Sequence, residues 1–305
     1  MHDHGRSHSP SAAFGRRRFI LAIGLNLGFA TTEFFFGAFA DSAALIADAL
    51  HNLADVFGLM IAWGGAWFAR RPASSRFTYG LRSTTIYAAF INASVLLLAC
   101  GGLVWEALQR FAIPAPAHGG IMLLVAAVGI VINGVSAALF WSDQAHDLNS
   151  RGAFVHLLSD AAVSLGVCLT GFAIMRSGLT ILDPIVTLII VGVILITTWQ
   201  LLRDSTLLGL HGVPANIDLA RVNAHLCELD GVAAVHDLHV WALSTTEAAL
   251  TAHLVMPDGH PGDERLATLA HDVLRMFGIR HSTFQVELQD LAHACALEAG
   301  TPHSH

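Results

Sequence analysis

Six apolar stretches, near 19–39, 43–68, 85–108, 119–141, 153–175 and 180–201, occupy the first two thirds of the chain. Each approaches the ~20 residues that a helix needs to cross the hydrocarbon layer of a bilayer. The pattern predicts six membrane-spanning helices, and an even number places both termini on one side. Arg16, Arg17 and Arg18 precede the first stretch, but no small-residue cleavage site follows it, so that stretch is expected to stay as an anchor.

Beyond Arg203 the long runs give way to the shorter periods of a soluble domain. The pattern predicts a helix over 217–229, with Asp218 in its first turn and Gly231 past its end. Strands are expected at 232–243 and 248–256, a second helix at 263–277 and a third strand at 282–288. The order αββαβ suggests an open-faced α+β sandwich. The expected divisions are a His-containing tail at 1–18, a six-helix transmembrane domain at 19–204, a cytoplasmic domain at 213–290 and a tail at 291–305.

Composition agrees with a membrane protein. The 305 residues are 54% hydrophobic and only 13% charged, with mean hydropathy +0.59, whereas soluble domains carry about a quarter charged residues. A formal charge of -7 offers no basic excess for nucleic acid. All 16 cations are arginines, and their placement is asymmetric. Arg6, Arg16, Arg17, Arg18, Arg70, Arg71, Arg76, Arg82 and Arg151 fall on one side of the six spans, and only Arg110 and Arg176 on the other. The positive-inside bias therefore puts both termini in the cytoplasm. Cys100, Cys168, Cys227 and Cys295 form no CxxC pair, so neither a disulfide framework nor a thiolate clasp is expected.

The chemistry lies in polar residues that interrupt the apolar runs. In the second run His51 and Asp55 stand at i and i+4, on one face of a helix, and in the fifth His156 and Asp160 repeat the spacing. A mid-membrane Asp costs about 2.5–3.5 kcal/mol on insertion scales, so each needs a partner. Two such faces together supply two imidazoles and two carboxylates, a donor set for tetrahedral Zn²⁺. Each His bonding its own Asp as interhelical glue is the competing arrangement. Asp48 is placed to orient His51 or to face a water-filled vestibule, and Asn26, Glu33, Asn92, Asn133 and Asp183 to line that vestibule or to bond between helices. Gly64, Gly65, Gly101 and Gly102 read as close-packing positions.

These residues carry a family resemblance. The 42–55 stretch resembles the S-L-A-L-L-A-D-A-x-H-x-x-x-D signature of the cation diffusion facilitators, proton-coupled zinc exporters. Residues 147–160 are similar to their fifth-helix motif, and Val235, His236, Asp237, Leu238, His239 and Trp241 to the V-H-D-L-H-x-W of their cytoplasmic domain. The resemblance implies a homodimer with a ferredoxin-like cytoplasmic domain, and His51, Asp55, His156 and Asp160 as the transport-site ligands. It implies regulatory metal on His236, His253 and Glu287, with His260 and His281 behind them. Two departures stand out. At 79–85 the chain lacks the Arg and Glu of the relatives' Y-G-x-x-R-x-E, and the 142–152 loop is short with His146 alone, where many eukaryotic relatives have a long His-rich loop.

The expected protein is a bacterial inner-membrane Zn²⁺ exporter, a metal/proton antiporter that also takes Cd²⁺ or Co²⁺, surrounded by lipid and using no organic cofactor. His2, His4, His8, His303 and His305 could gather metal at the cytoplasmic mouth. A metalloenzyme would need an activating Glu beside paired histidines, and no HExxH string occurs. A membrane-anchored metal sensor would leave the charges in the second and fifth spans without a purpose.

Overall fold

The computed structural model describes residues 10–113, 117–141 and 148–288, without the side chains of 10–20, 59, 62, 63, 66 and 148–153. The His-bearing termini, His146 and the segment after Leu288 lie outside the described residues. Six long helices come first: α1 Pro10–Phe39, α2 Ala43–Ala69, α3 Thr84–Ala112, α4 Gly119–Ala138, α5 Leu148–Ser177 and α6 Leu182–Gly209. The five spans in α1 and α3 to α6 are long and apolar enough to cross a membrane. The sixth, α2, has 27 residues, about 40 Å at 1.5 Å per residue. Leu98, Ile196 and Phe35 are among many apolar side chains that remain exposed along these helices, as a lipid-facing surface requires.

The described residues form two compact units, one drawn from 1–60 and 92–200 and the other from 61–91 and 201–305. In the first, Phe29, Leu45, Leu103, Met122, Val167 and Val191 draw one core from all six helices. Helices α4 and α5 meet backbone to backbone: a Cβ on Gly171 would lie 2.7 Å from the Leu123 nitrogen, and one on Gly119 would lie 2.5 Å from the Gly171 oxygen. These two glycines are close-packing positions that the sequence did not single out, and of the four expected ones only Gly65 joins them. Gly65 does press on Ala88 and Thr84, but Gly64, Gly101 and Gly102 face open space. Because α5 carries His156 and Asp160, Gly171→Ala is expected to cost about 1–3 kcal/mol and to reduce transport with it. Thermal unfolding of the detergent-solubilised variant checks this, and an unchanged melting temperature counts against the close contact.

The start of α2 is fixed from α6. Asp183 accepts from Ser42 Oγ at 2.6 Å, Ala43 N at 2.9 Å and Ala44 N at 3.2 Å. A carboxylate there satisfies orphan donors of the first turn and complements the helix dipole. Arg110 of α3 stands 3.5 Å from Asp183 and also engages Asp41 and Glu106. Asp183 is therefore a capping group and not part of a vestibule.

In the second unit the tail follows the expected αββαβ order: α7 Leu219–Cys227, β1 Ala234–Ala242, β2 Ala248–Val255, α8 Asp263–Phe277 and β3 Ile279–Glu287. Asp218 is the N-cap of α7, one step before the first turn, accepting from Ala220 N and Arg221 N. β3 begins three residues earlier than its alternation suggests, because Gly278 ends α8 in the left-handed region (φ 72°) and the chain turns straight into the sheet. β1 and β2 pair antiparallel, and β2 and β3 pair parallel after the α8 crossover. Val222, Leu226, Leu250, Leu254, Val273 and Ile279 form the core beneath this sheet.

Candidate metal centre

Helical periodicity stacks His51 over Asp55 on α2 and His156 over Asp160 on α5, and the structure brings the two faces together. His51 Nε2 lies 3.8 Å from Asp55 Oδ2 and 3.7 Å from Asp160 Oδ1. His156 Nε2 lies 3.3 Å from Asp55 Oδ2 and 3.6 Å from Asp160 Oδ2. Each imidazole thus approaches the carboxylate of the opposite helix at least as closely as its own. That crossed approach is what a shared centre requires. Two ligands held ~2.0–2.1 Å from one tetrahedral ion stand about 3.3 Å apart; His51, Asp55 and Asp160 offer donor atoms within 4.8 Å of one another, and His156 adds a nitrogen 3.3 and 3.6 Å from the two carboxylates.

Asp160 is the most enclosed of the four side chains, at 4% exposure against 49% for His156. Asp55 Oδ2 and His51 Nδ1 are buried without a hydrogen-bond partner. For Asp55 the orphaned oxygen is the one both imidazoles face, which suits a ligand atom with no competing donor.

Beside the centre lies a polar cluster that supports it. Asp48 accepts from Ser164 Oγ of α5 at 3.0 Å and from Asn52 Nδ2 at 3.4 Å. Asp48 therefore braces α2 against α5 and does not hydrogen-bond His51, contrary to the expectation that it orients that ring. Glu33 of α1 is fully buried and adjoins Asp48 and Asn52. Asn26 reaches Ser136 of α4 at 3.5 Å, Asn133 is buried without partners, and Asn92 packs against Gly58.

A second cluster sits on the tail sheet. His236 and His253 are direct cross-strand partners in the β1–β2 register, with ring centroids 5.0 Å apart. Glu287 closes the group from the end of β3: its Oε2 lies 3.0 Å from His236 Nε2 and its Oε1 2.9 Å from His253 Nδ1. The His236 hydrogen bond, helped by Gln285 and opposed by desolvation, holds the Glu287 carboxyl below the ordinary Glu range. The structure adds Asp237, which sequence reasoning did not single out. A break in register between His236 and His239 places it in the left-handed region, φ 51°, with its carboxylate 2.6 Å from His239 Nε2 and 3.4 Å from His253 Nε2. The acid between two histidines in Val235–His239 was the available signal. His260 instead accepts from Gly262 N, and His281 packs edge-on against Tyr79, so neither joins the group.

Two His–Asp faces that converge between apolar helices supply a donor set for a cation within the membrane-spanning part of the chain. Residues 19–208 match the family model for the cation efflux transmembrane domain, and residues 214–289 that for the cation efflux protein cytoplasmic domain. The chain belongs to this family, the cation diffusion facilitators, and is a multi-pass membrane transporter and not an enzyme. It is similar to the zinc transporter ZitB of Escherichia coli K12, 35% identical over 312 residues that cover 100% of this chain and 98% of that protein. It also resembles the metal cation efflux system protein CzcD of Cupriavidus metallidurans, 34% identical over 296 residues covering 96% and 94%. A cadmium, cobalt and zinc/H(+)-K(+) antiporter of Bacillus velezensis is 28% identical over 310 residues, 99% of each chain.

Proposed function

We propose that the protein exports Zn²⁺ across the bacterial inner membrane in exchange for protons, by alternating access of one site made from His51, Asp55, His156 and Asp160. The observation that carries this reading is the crossed approach of the two His–Asp faces, at 3.3–3.8 Å. Two imidazoles with two carboxylates suit Zn²⁺ and the similar Cd²⁺ and Co²⁺ better than Mg²⁺ or Mn²⁺, which favour all-oxygen shells. The names of the relatives, a zinc transporter among them and a cadmium, cobalt and zinc antiporter, point the same way.

Coupling follows from the ligands. Imidazole nitrogen and carboxylate oxygen bind metal only when deprotonated, so protons and Zn²⁺ compete for the same atoms. A site open to the cytoplasm takes the ion; open to the other side, it yields the ion as protons arrive. The working form is a homodimer with both termini in the cytoplasm, divided as a transmembrane domain at 19–204 and a cytoplasmic domain at 213–290. His236, His253 and Glu287, joined by Asp237, hold a Zn²⁺ that biases the conformational equilibrium and does not travel.

Zn²⁺ flux in proteoliposomes tests the exchange. With an imposed pH gradient, uptake should proceed toward the acidic compartment and acidify the compartment that the metal leaves. Flux that ignores both the sign and the collapse of the gradient would rule out proton exchange.

A further inference from the structure

The metal reading gives no role to the arginines between α2 and α3, yet the structure gathers three of them with an arginine of the tail. Arg70 and Arg71 follow the last turn of α2, Arg82 precedes α3, and Arg280 lies at the start of β3. All four line one cleft of about 790 Å³, together with Tyr79 and His281. Glu247 is its single carboxylate, paired with Arg82 and standing 3.7 Å from Arg280. Among the described residues Arg70 and Arg71 have no acidic partner. Arg71 instead lies over the rings of Trp67 and Phe68, 5.2 and 5.0 Å from their centroids. A cation on an aromatic face is held in place without being neutralised. Four guanidinium groups against one carboxylate leave the cleft strongly positive.

A topological bias alone accounts for arginines in the loop, but not for Arg280 of the sheet converging on the same cleft. Planar guanidinium forks match phosphate oxygens two at a time, and Tyr79, Thr78 and Thr246 bring hydroxyl donors to the wall. Depth selects the source of the phosphate. Trp67 and Phe68, 51% and 40% exposed, mark the level at which α2 leaves the apolar layer, because amphipathic rings settle at the headgroup boundary. Arg70 and Arg71 come immediately after, at headgroup depth. We propose that this cleft is a phosphate-group site that holds the headgroup of an anionic phospholipid at the end of α2.

Binding of phosphatidylglycerol, phosphatidylcholine and inorganic phosphate to the full-length protein in neutral detergent, followed by native mass spectrometry and thermal shift, tests the site. Phosphatidylglycerol should bind at least tenfold more tightly than phosphatidylcholine and weaken as salt rises. The triple variant Arg70→Gln, Arg71→Gln, Arg280→Gln should lower that affinity on the order of 100-fold, each arginine near an anionic surface contributing about fivefold. Arg82 stays in place because it holds Glu247. Glu247→Gln should act in the opposite direction and tighten binding, an outcome that general damage to the fold would not produce. Inorganic phosphate that binds as tightly and displaces the lipid would uphold the phosphate-group site while overturning the lipid as its occupant. Equal affinity for the two lipids, or a triple variant that keeps the preference, would overturn the proposal. The transport site is untouched by either result, since Zn²⁺ flux in the same variants reads it separately.

Discussion

Asp160→Ala is expected to abolish Zn²⁺ transport while leaving the protein inserted and folded. Asp160 is the most enclosed member of the centre, and its two oxygens divide between the histidines, 3.7 Å from His51 and 3.6 Å from His156. Removing it leaves three donors and takes the only carboxylate that α5 contributes. Changes merely behind a metal ligand typically cost 10–100-fold, so loss of the ligand itself should lower transport by more than about 100-fold. Stability should move differently. In the metal-free protein this carboxylate is a buried charge near Asp55 and Asp48, so its removal relieves a desolvation cost. The apo variant should melt at or above the wild-type temperature but lose the stabilisation that Zn²⁺ gives the wild type. Proteoliposome flux and melting curves with and without Zn²⁺ separate the two effects. Wild-type flux from a well-folded Asp160→Ala protein would remove the ion-site assignment, and the same substitution at Asp55 repeats the test from α2.

The centre was legible in the sequence because membrane spans make acidic residues conspicuous. His51 and Asp55, like His156 and Asp160, need only helical spacing to share a face. Their convergence is tertiary, however, and spacing alone could not separate a crossed centre from two intrahelical pairs. The six helices and the αββαβ tail were similarly readable from period and length. What stayed hidden depends on contacts distant in sequence. Asp183 caps α2 from about 140 positions away, so neither its segment nor that of Ser42 announces the bond. Gly119 and Gly171 look no different from Gly101 and Gly102 until two backbones meet. Asp48 lies three residues before His51, one helical turn, but the pull of Ser164 on the neighbouring helix decides its partner. Asp237 required a break in the β1–β2 register and a positive φ, which Asp tolerates better than most residues.

Substitution of His236, His253 and Glu287 together by Ala is expected to remove one bound Zn²⁺ per chain while transport continues at a lower rate or apparent affinity. The three donors come from three adjacent strands, and the sheet core beneath them fixes their spacing before any ion arrives. A site so preorganised is suited to retaining metal, whereas the membrane site must release it in every cycle. Asp237→Ala should weaken tail binding about 10–100-fold without eliminating it, as expected for a group that positions His253 and His239 from one side. The pH dependence has a definite sign. Glu287 is held below the ordinary Glu range, chiefly by its hydrogen bond to His236. Its contribution to tail stability is therefore complete above that range and disappears as pH falls through the depressed folded value. Glu287→Gln should flatten this acid limb of the unfolding curve and weaken Zn²⁺ binding at neutral pH. Equilibrium dialysis of the full-length protein, with the membrane site disabled by Asp160→Ala, counts the tail-bound ion directly. If that background binds no Zn²⁺, His236, His253, Glu287 and Asp237 are a hydrogen-bonded network of the sheet, and control of transport must reside elsewhere in the chain.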